Sequence, residues 1–293
     1  MIEEVAALKN RQQLHISLNN RLFYGANQSW LDTQSKQEDG CASVCVYNLL
    51  RYISIKDGCP KPLRIPLSKN KQNDEQSLVD MATIYDYIKP FQLNTLLPQG
   101  MIHKKVGAKY EVPSSMGIFS QRLLSKKINA MCEVRDNVVK PKVHKKTIQT
   151  REKMMEYVSF IVSNLSSDVP VLCLNTFAKT QFYLSGSSFE STQIECDKLE
   201  KMTQMKQTAF VTHWVLITGV YLVKKTSSSH LIDKQHNLLQ ESKPFFEDEE
   251  KRQWLIQCST WGNIAYFYLE DLLNLVPLMQ KLFPPCLATY QWD

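Results

Sequence analysis

Two side chains in this sequence have the types and settings for nucleophilic chemistry, Cys41 and His213. Cys41 stands in Asp39-Gly40-Cys41-Ala42-Ser43-Val44-Cys45, where a turn runs into an apolar helix. Val44, Cys45, Leu49, Tyr52 and Ile53 recur at helical spacing behind it. The positive end of a helix dipole favours thiolate over thiol, and the thiolate is the nucleophile. Gly40 lets the backbone turn sharply and lets another segment approach, and Asp39 suits a cap on the first-turn amides. His213 lies near the start of Phe210 to Val223, the most continuous β-branched and apolar stretch in the chain. An imidazole beside a thiol can take its proton and return it to a leaving amine. Each residue also has a plain role, as a buried thiol and a core histidine. A zinc site from Cys41, Cys45 and a histidine is disfavoured because the usual ligand spacings are absent, so no metal and no cofactor are expected.

The elements that must position these residues can be read from periodicity. The central helix is expected over about 42–54 and further helices over 78–88, 118–128 and 150–165, the last with a clear apolar side. Strands are expected at 130–134, 168–175, 210–223, 254–262 and 264–268, with a short helix over 269–275. Residues 1–20 read as a marginal helix. Residues 32–40, 58–75, 185–208 and the basic stretch 135–150 read as loops, and the proline-broken C-terminal tail gives no strand signal. Residues 224–251 are almost wholly polar and read as an insertion between paired strands. There is no internal repeat. The expectation is one α+β domain over 1–293, with a helical part over about 1–165 and an antiparallel sheet over about 166–293.

Composition narrows the function classes. No apolar run is long enough to span a membrane, and the acidic, amphipathic N-terminus does not resemble a signal peptide. The eight cysteines are scattered and form no Cys-x-x-Cys pair, which points to free thiols in a reducing, cytoplasmic compartment. The net charge of +6 is concentrated around Lys140-Pro141-Lys142-Val143-His144-Lys145-Lys146. No nucleic-acid motif accompanies it, so a solvated surface is the expectation and no nucleic-acid partner is expected.

Taken in order, a helix cysteine, a strand histidine and then Ser259-Thr260-Trp261-Gly262 on the next strand resemble papain-like cysteine peptidases. Gly40-Cys41-Ala42, His213-Trp214-Val215 and the aromatic Tyr24-Gly25-Ala26-Asn27-Gln28-Ser29-Trp30 resemble more closely the bacterial bacteriocin-processing type. The resemblance covers residues 24–54 and 210–270. It implies a papain-like fold and a cysteine peptidase or amide hydrolase acting on a peptide or other amide. Cys41 would be the nucleophile and His213 the acid–base. The Cys41 amide and a glutamine would hold the oxyanion, with Gln28 favoured over Gln37. Ser259 stands where papain carries the histidine-orienting Asn, so the third member is atypical. Asn263 and Asp233 are candidate substitutes, and Trp261 would shield the Ser259–His213 contact. Trp214 and Gly40 would belong to the cleft. The alternative on the same residues is an inactive relative that binds a peptide.

Overall fold

The computed structural model describes residues 2–56, 74–88, 91–92, 115–117, 121–131, 142–176, 180, 182–186, 212–224, 252–273 and 284–291. The expected insertion beyond 224, Asp233, the strand at 132–134 and most of the loops over 58–75 and 185–208 lie outside these residues. The molecule is α+β, with helices packed on an antiparallel sheet.

Two elements carry the organisation. Helix α2 (Cys41–Lys56) is buried from Cys41 through Leu50 and again at Tyr52 and Ile53. α1 (Gln34–Asp39) precedes it. α3 (Asp74–Ile88) packs against α2, and α4 (Gln121–Met131) packs against α3. A helix apolar on nearly all sides can only be central, which is why its pattern was legible in the sequence. The second element is the longest strand among the described residues, β9 (Thr212–Lys224), buried from His213 through Tyr221.

β9 is hydrogen-bonded along both edges. On one side lie β7 (Val171–Thr176), against residues 212–217, and β1 (Ile2–Ala7), against 219–223. On the other lies β10 (Arg252–Thr260), which turns into β11 (Asn263–Tyr268). The eight-stranded sheet runs β6 (Lys142–Thr147), β12 (Cys286–Gln291), β7, β9, β10, β11, β8 (Tyr183–Gly186), with β1 beside β9. Two small hairpins stand apart, β2 (His15–Leu18) with β3 (Arg21–Tyr24), and β4 (Phe91–Gln92) with β5 (Ser115–Gly117).

Several expectations are corrected. Residues 1–20 are not a helix but β1, a 3-10 turn and β2. Helices and strands are therefore not separated into an N-terminal and a C-terminal half. The basic stretch forms β6, and the proline-interrupted tail forms β12, which lies between β6 and β7. Residues 34–39 of the approach to Cys41 are helical, with Thr33 accepting from the Lys36 amide at the start. Strands paired on both sides by distant segments draw their stability from those partners more than from intrinsic propensity.

α5 (Met154–Ser166) lies against β1, β7 and β9, and leads through a turn into β7. Asp168 in that turn has φ +58° and is buried. Its carboxylate accepts from the Lys9 amide at 2.8 Å and from the Tyr52 hydroxyl at 2.6 Å. The Lys56 ammonium donates to the carbonyls of Ser167 and Asp168. The C-terminal end of α2 is thus fixed to the turn that leads into β7. Replacing Asp168 with Ala removes an acceptor from one buried donor, the Tyr52 hydroxyl, and from the part-buried Lys9 amide. It should lower unfolding free energy by about 1–3 kcal/mol, the cost of a buried donor left unsatisfied, read as a drop in the urea midpoint at unchanged slope.

Candidate active site

α2 begins at Cys41, and its far end is tied to the turn before β7. The C-terminal end of β7 carries Asn175, paired with His213 across the β7–β9 ladder. The electrostatic neighbours of Cys45, one helical turn on, are Cys41, Cys258 and Cys173, which places α2 over the adjoining parts of β10 and β7. The first intrahelical bond of α2 runs from the Val44 amide to the Gly40 carbonyl at 3.0 Å, so Cys41 sits at the positive end of the helix. Gly40 has an ordinary φ of −75°. Its need is for space, because a Cβ there would stand 2.5 Å from the Lys36 carbonyl oxygen and against Leu31. Asp39 is buried, and one carboxylate oxygen accepts from the Tyr85 hydroxyl at 2.7 Å. That bond and burial push the Tyr85 phenol upward.

His213 is 6 % exposed, and its Nε2 lies 2.6 Å from the Thr260 Oγ1. The Trp261 ring stacks on the imidazole at 4.4 Å between centroids with an interplanar angle of 13°. Phe182 meets both rings edge-on, at 5.9 Å from His213 and 5.7 Å from Trp261. Trp261 and Gly262 both have positive φ, +49° and +74°, as a two-residue turn between β10 and β11 requires. A tryptophan in that region costs roughly 1–2 kcal/mol. Stacking of rings offsets about 0.5–1.5 kcal/mol of it. Trp261 is therefore held in an unfavourable backbone region by a turn that sets its ring over His213.

Ser259 does not orient the histidine. Its hydroxyl donates to the Tyr24 carbonyl at 2.7 Å and accepts from Asn48 Nδ2 at 3.4 Å. Asn48 Oδ1 in turn accepts from the Ala26 amide at 2.8 Å. The cause is register. Gln257 pairs with Gly219 but Cys258 pairs with Ile217, so Thr218 is an extra residue in β9. A bulge shifts every later side chain to the other face. Thr260, not Ser259, then shares the face of Val215 and His213. Trp214 falls on the face opposite His213 and is fully buried, so it is core and not cleft.

The two glutamines separate by their hydrogen bonds. Gln37 Nε2 donates to the carbonyls of Ser29 and Leu31, at 3.1 and 2.7 Å, which uses both of its N–H groups in fastening the loop. Gln28 Nε2 donates to the Gln37 carbonyl at 2.7 Å, which sets it beside the short helix leading to Cys41 and leaves its second N–H available. Asn263 donates to the Trp261 carbonyl at 2.9 Å, so it secures the turn and does not replace the third member. The sequence reading missed Thr260, Asn175, Phe182 and the role of Asn48. Only pairing across the bulge could have exposed the first.

The other described cysteines are buried and free. Burial pushes the thiols of Cys45, Cys173 and Cys258 up, and that of Cys286 up to about 12. These four stay as thiols at neutral pH. No group of three or more His, Cys, Asp or Glu among the described residues is placed to hold a metal ion. No helix of the described residues is long and apolar enough to cross a membrane. Comparison with known protein families, curated proteins and solved structures gives no match to this chain.

The division of labour between the two neighbouring residues is testable. Ser259→Ala breaks the Asn48–Ser259–Tyr24 link and should cost about 1–3 kcal/mol of unfolding free energy. The histidine keeps its partner, so the rate of Cys41 alkylation should stay within about twofold of the parent, the scale of a change not felt at the site.

Proposed function

We propose that the chain is a cysteine-dependent hydrolase of peptide or other amide bonds on a papain-like scaffold. The observation that carries this is the His213 ring, held at Nε2 by Thr260 and covered by Trp261, in a chain whose Cys41 opens a buried helix packed on β9. A ring fixed at one nitrogen and shielded on its face is arranged to act at the other. With Nε2 engaged, Nδ1 takes the Cys41 proton. The thiolate attacks the carbonyl carbon, and the carbonyl π electrons move to oxygen. The oxyanion is held by the Cys41 backbone amide and the second N–H of Gln28. Collapse of that intermediate expels the amine, which takes the proton from His213 and leaves a thioester. Water, deprotonated by His213, then hydrolyses the thioester and restores the thiol. Free thiols at the described cysteines suit a reducing, cytoplasmic compartment.

Thr260 is the atypical part. A hydroxyl is uncharged and short, and it stabilises an imidazolium less than a carboxylate would. That same observation favours a second reading, a peptide-binding relative that retains the cleft and has lost turnover.

Alkylation of Cys41 by iodoacetamide, followed by mass spectrometry against pH, separates the two. For the hydrolase, Cys41, itself 7 % exposed, reacts rapidly below pH 7, ahead of the other four described thiols. His213→Ala then slows it at least about tenfold, the loss of an activating base worth that order or more. Thr260→Val slows it about fivefold, the value of one neutral hydrogen bond near 1 kcal/mol. A Cys41 that titrates near about 8.5, as an unperturbed thiol does, with or without His213, rules out the thiolate–imidazolium pair and leaves the binding reading.

A further inference from the structure

We propose that Asn175 is a positioning residue for the protonated form of His213. Its consequence for catalysis rests on the hydrolase reading; its physical basis does not. Asn175 on β7 is directly opposite His213 on β9. Opposed residues of an antiparallel pair point to the same face, with Cβ atoms about 4.5–5.5 Å apart. Asn175 is 5 % exposed, and its Oδ1 has no hydrogen-bond partner among the described residues. A buried amide oxygen without a partner is costly, and such groups gather where a charge or a donor arrives only in part of a cycle.

The imidazole supplies that arrival. In its neutral form the ring has one N–H and is held by Thr260. On protonation it gains a second N–H and a positive charge. Asn175 Oδ1 is then the negative end of a dipole on β7, across β9 from the strand that carries Thr260, in a site from which water is largely excluded. Asn175 is unsatisfied while His213 is neutral and compensated when it is charged. The histidine lies between two strand neighbours, each contributing an uncharged oxygen.

The other groups on the face of His213 do not replace this effect. By register these include Cys173 on β7 and Cys258 and Thr260 on β10, with Cys45 of α2 near Cys173 and Cys258. Burial keeps Cys45, Cys173 and Cys258 neutral. Asp39, at the end of α1 before Cys41, is bonded to the Tyr85 hydroxyl. Phe182 and Trp261 offer only aromatic carbon faces and edges to the ring.

The test is a proton NMR titration of His213 in the full chain carrying Cys41→Ala, which removes the thiol as a competing charge. Adding Asn175→Leu, close in volume and apolar, should make the ring about tenfold harder to protonate. Adding Asn175→Asp should make it about tenfold easier or more. A residue that merely fills space would not move the equilibrium in opposite directions. Midpoints within twofold of the Cys41→Ala parent in both variants overturn the proposal. If Asn175→Leu does not fold, Asn175→Asp decides alone, and no rise overturns it. The result is independent of turnover, because the titration can succeed where Cys41 alkylation shows an ordinary thiol, and can fail where Cys41 is fully reactive.

Discussion

The structure depends on how one buried helix is fastened to one strand pair through a handful of polar atoms. α2 is apolar on nearly every side, and apolar packing alone would let it slide or rotate over the sheet at small cost. Asn48 removes that freedom. Its amide joins the Ala26 amide to Ser259, and Ser259 reaches the Tyr24 carbonyl, all in the buried interior. Hydrogen bonds are directional and their loss inside the protein is expensive, so this junction fixes the register of α2 where packing cannot. Gly25, with φ +82°, is required there, since a Cβ would collide with Ser259 and Asn48. At the other end of the helix Asp168 joins Tyr52 and Lys9. These two points hold α2 from its middle to its C-terminal part.

The same economy governs the histidine. His213 is paired with Asn175 on β7, three residues before the point where β10 also joins β9, so its backbone cannot move without breaking the β7 ladder. Its ring is then set by contacts from three segments: Thr260 at the end of β10, Trp261 in the following turn and Phe182 before β8. The turn itself is stitched back to the 24–27 segment, where Asn27 donates to the Trp261 carbonyl and the Tyr24 amide donates to that of Gly262. The segment that fastens α2 therefore also fastens the lid of the imidazole. Helix and histidine are coupled through one short stretch of chain.

Burial gives the thiols of this arrangement chemical isolation. All five described cysteines are buried, Cys41 among them, and burial pushes the thiols of the other four upward, which keeps those four unreactive at neutral pH. Cys41 differs from them in position more than in residue type, for it is the one at a helix start. Reactivity in a thiol depends on the field around it, so location on the fold selects one cysteine from several.

The sequence by itself determined the main elements whose burial gives them a strong period. The central helix, the helix at 154–166 and the β7, β9, β10 and β11 strands were all legible. It did not determine the elements stabilised by distant partners. β1, β6 and β12 have weak or misleading local patterns, and each is a strand only because another strand supplies its hydrogen bonds. Nor did it determine which residue meets the histidine. Counting along Ser259-Thr260-Trp261-Gly262 puts Ser259 in that place, but the single extra residue at Thr218 rotates the register and puts Thr260 there. Alternation is a local property, and it is visible in a sequence. The phase between two alternating strands is set by pairing, and one inserted residue reverses it. Tertiary structure alone decides that phase, and with it the identity of the groups around the imidazole.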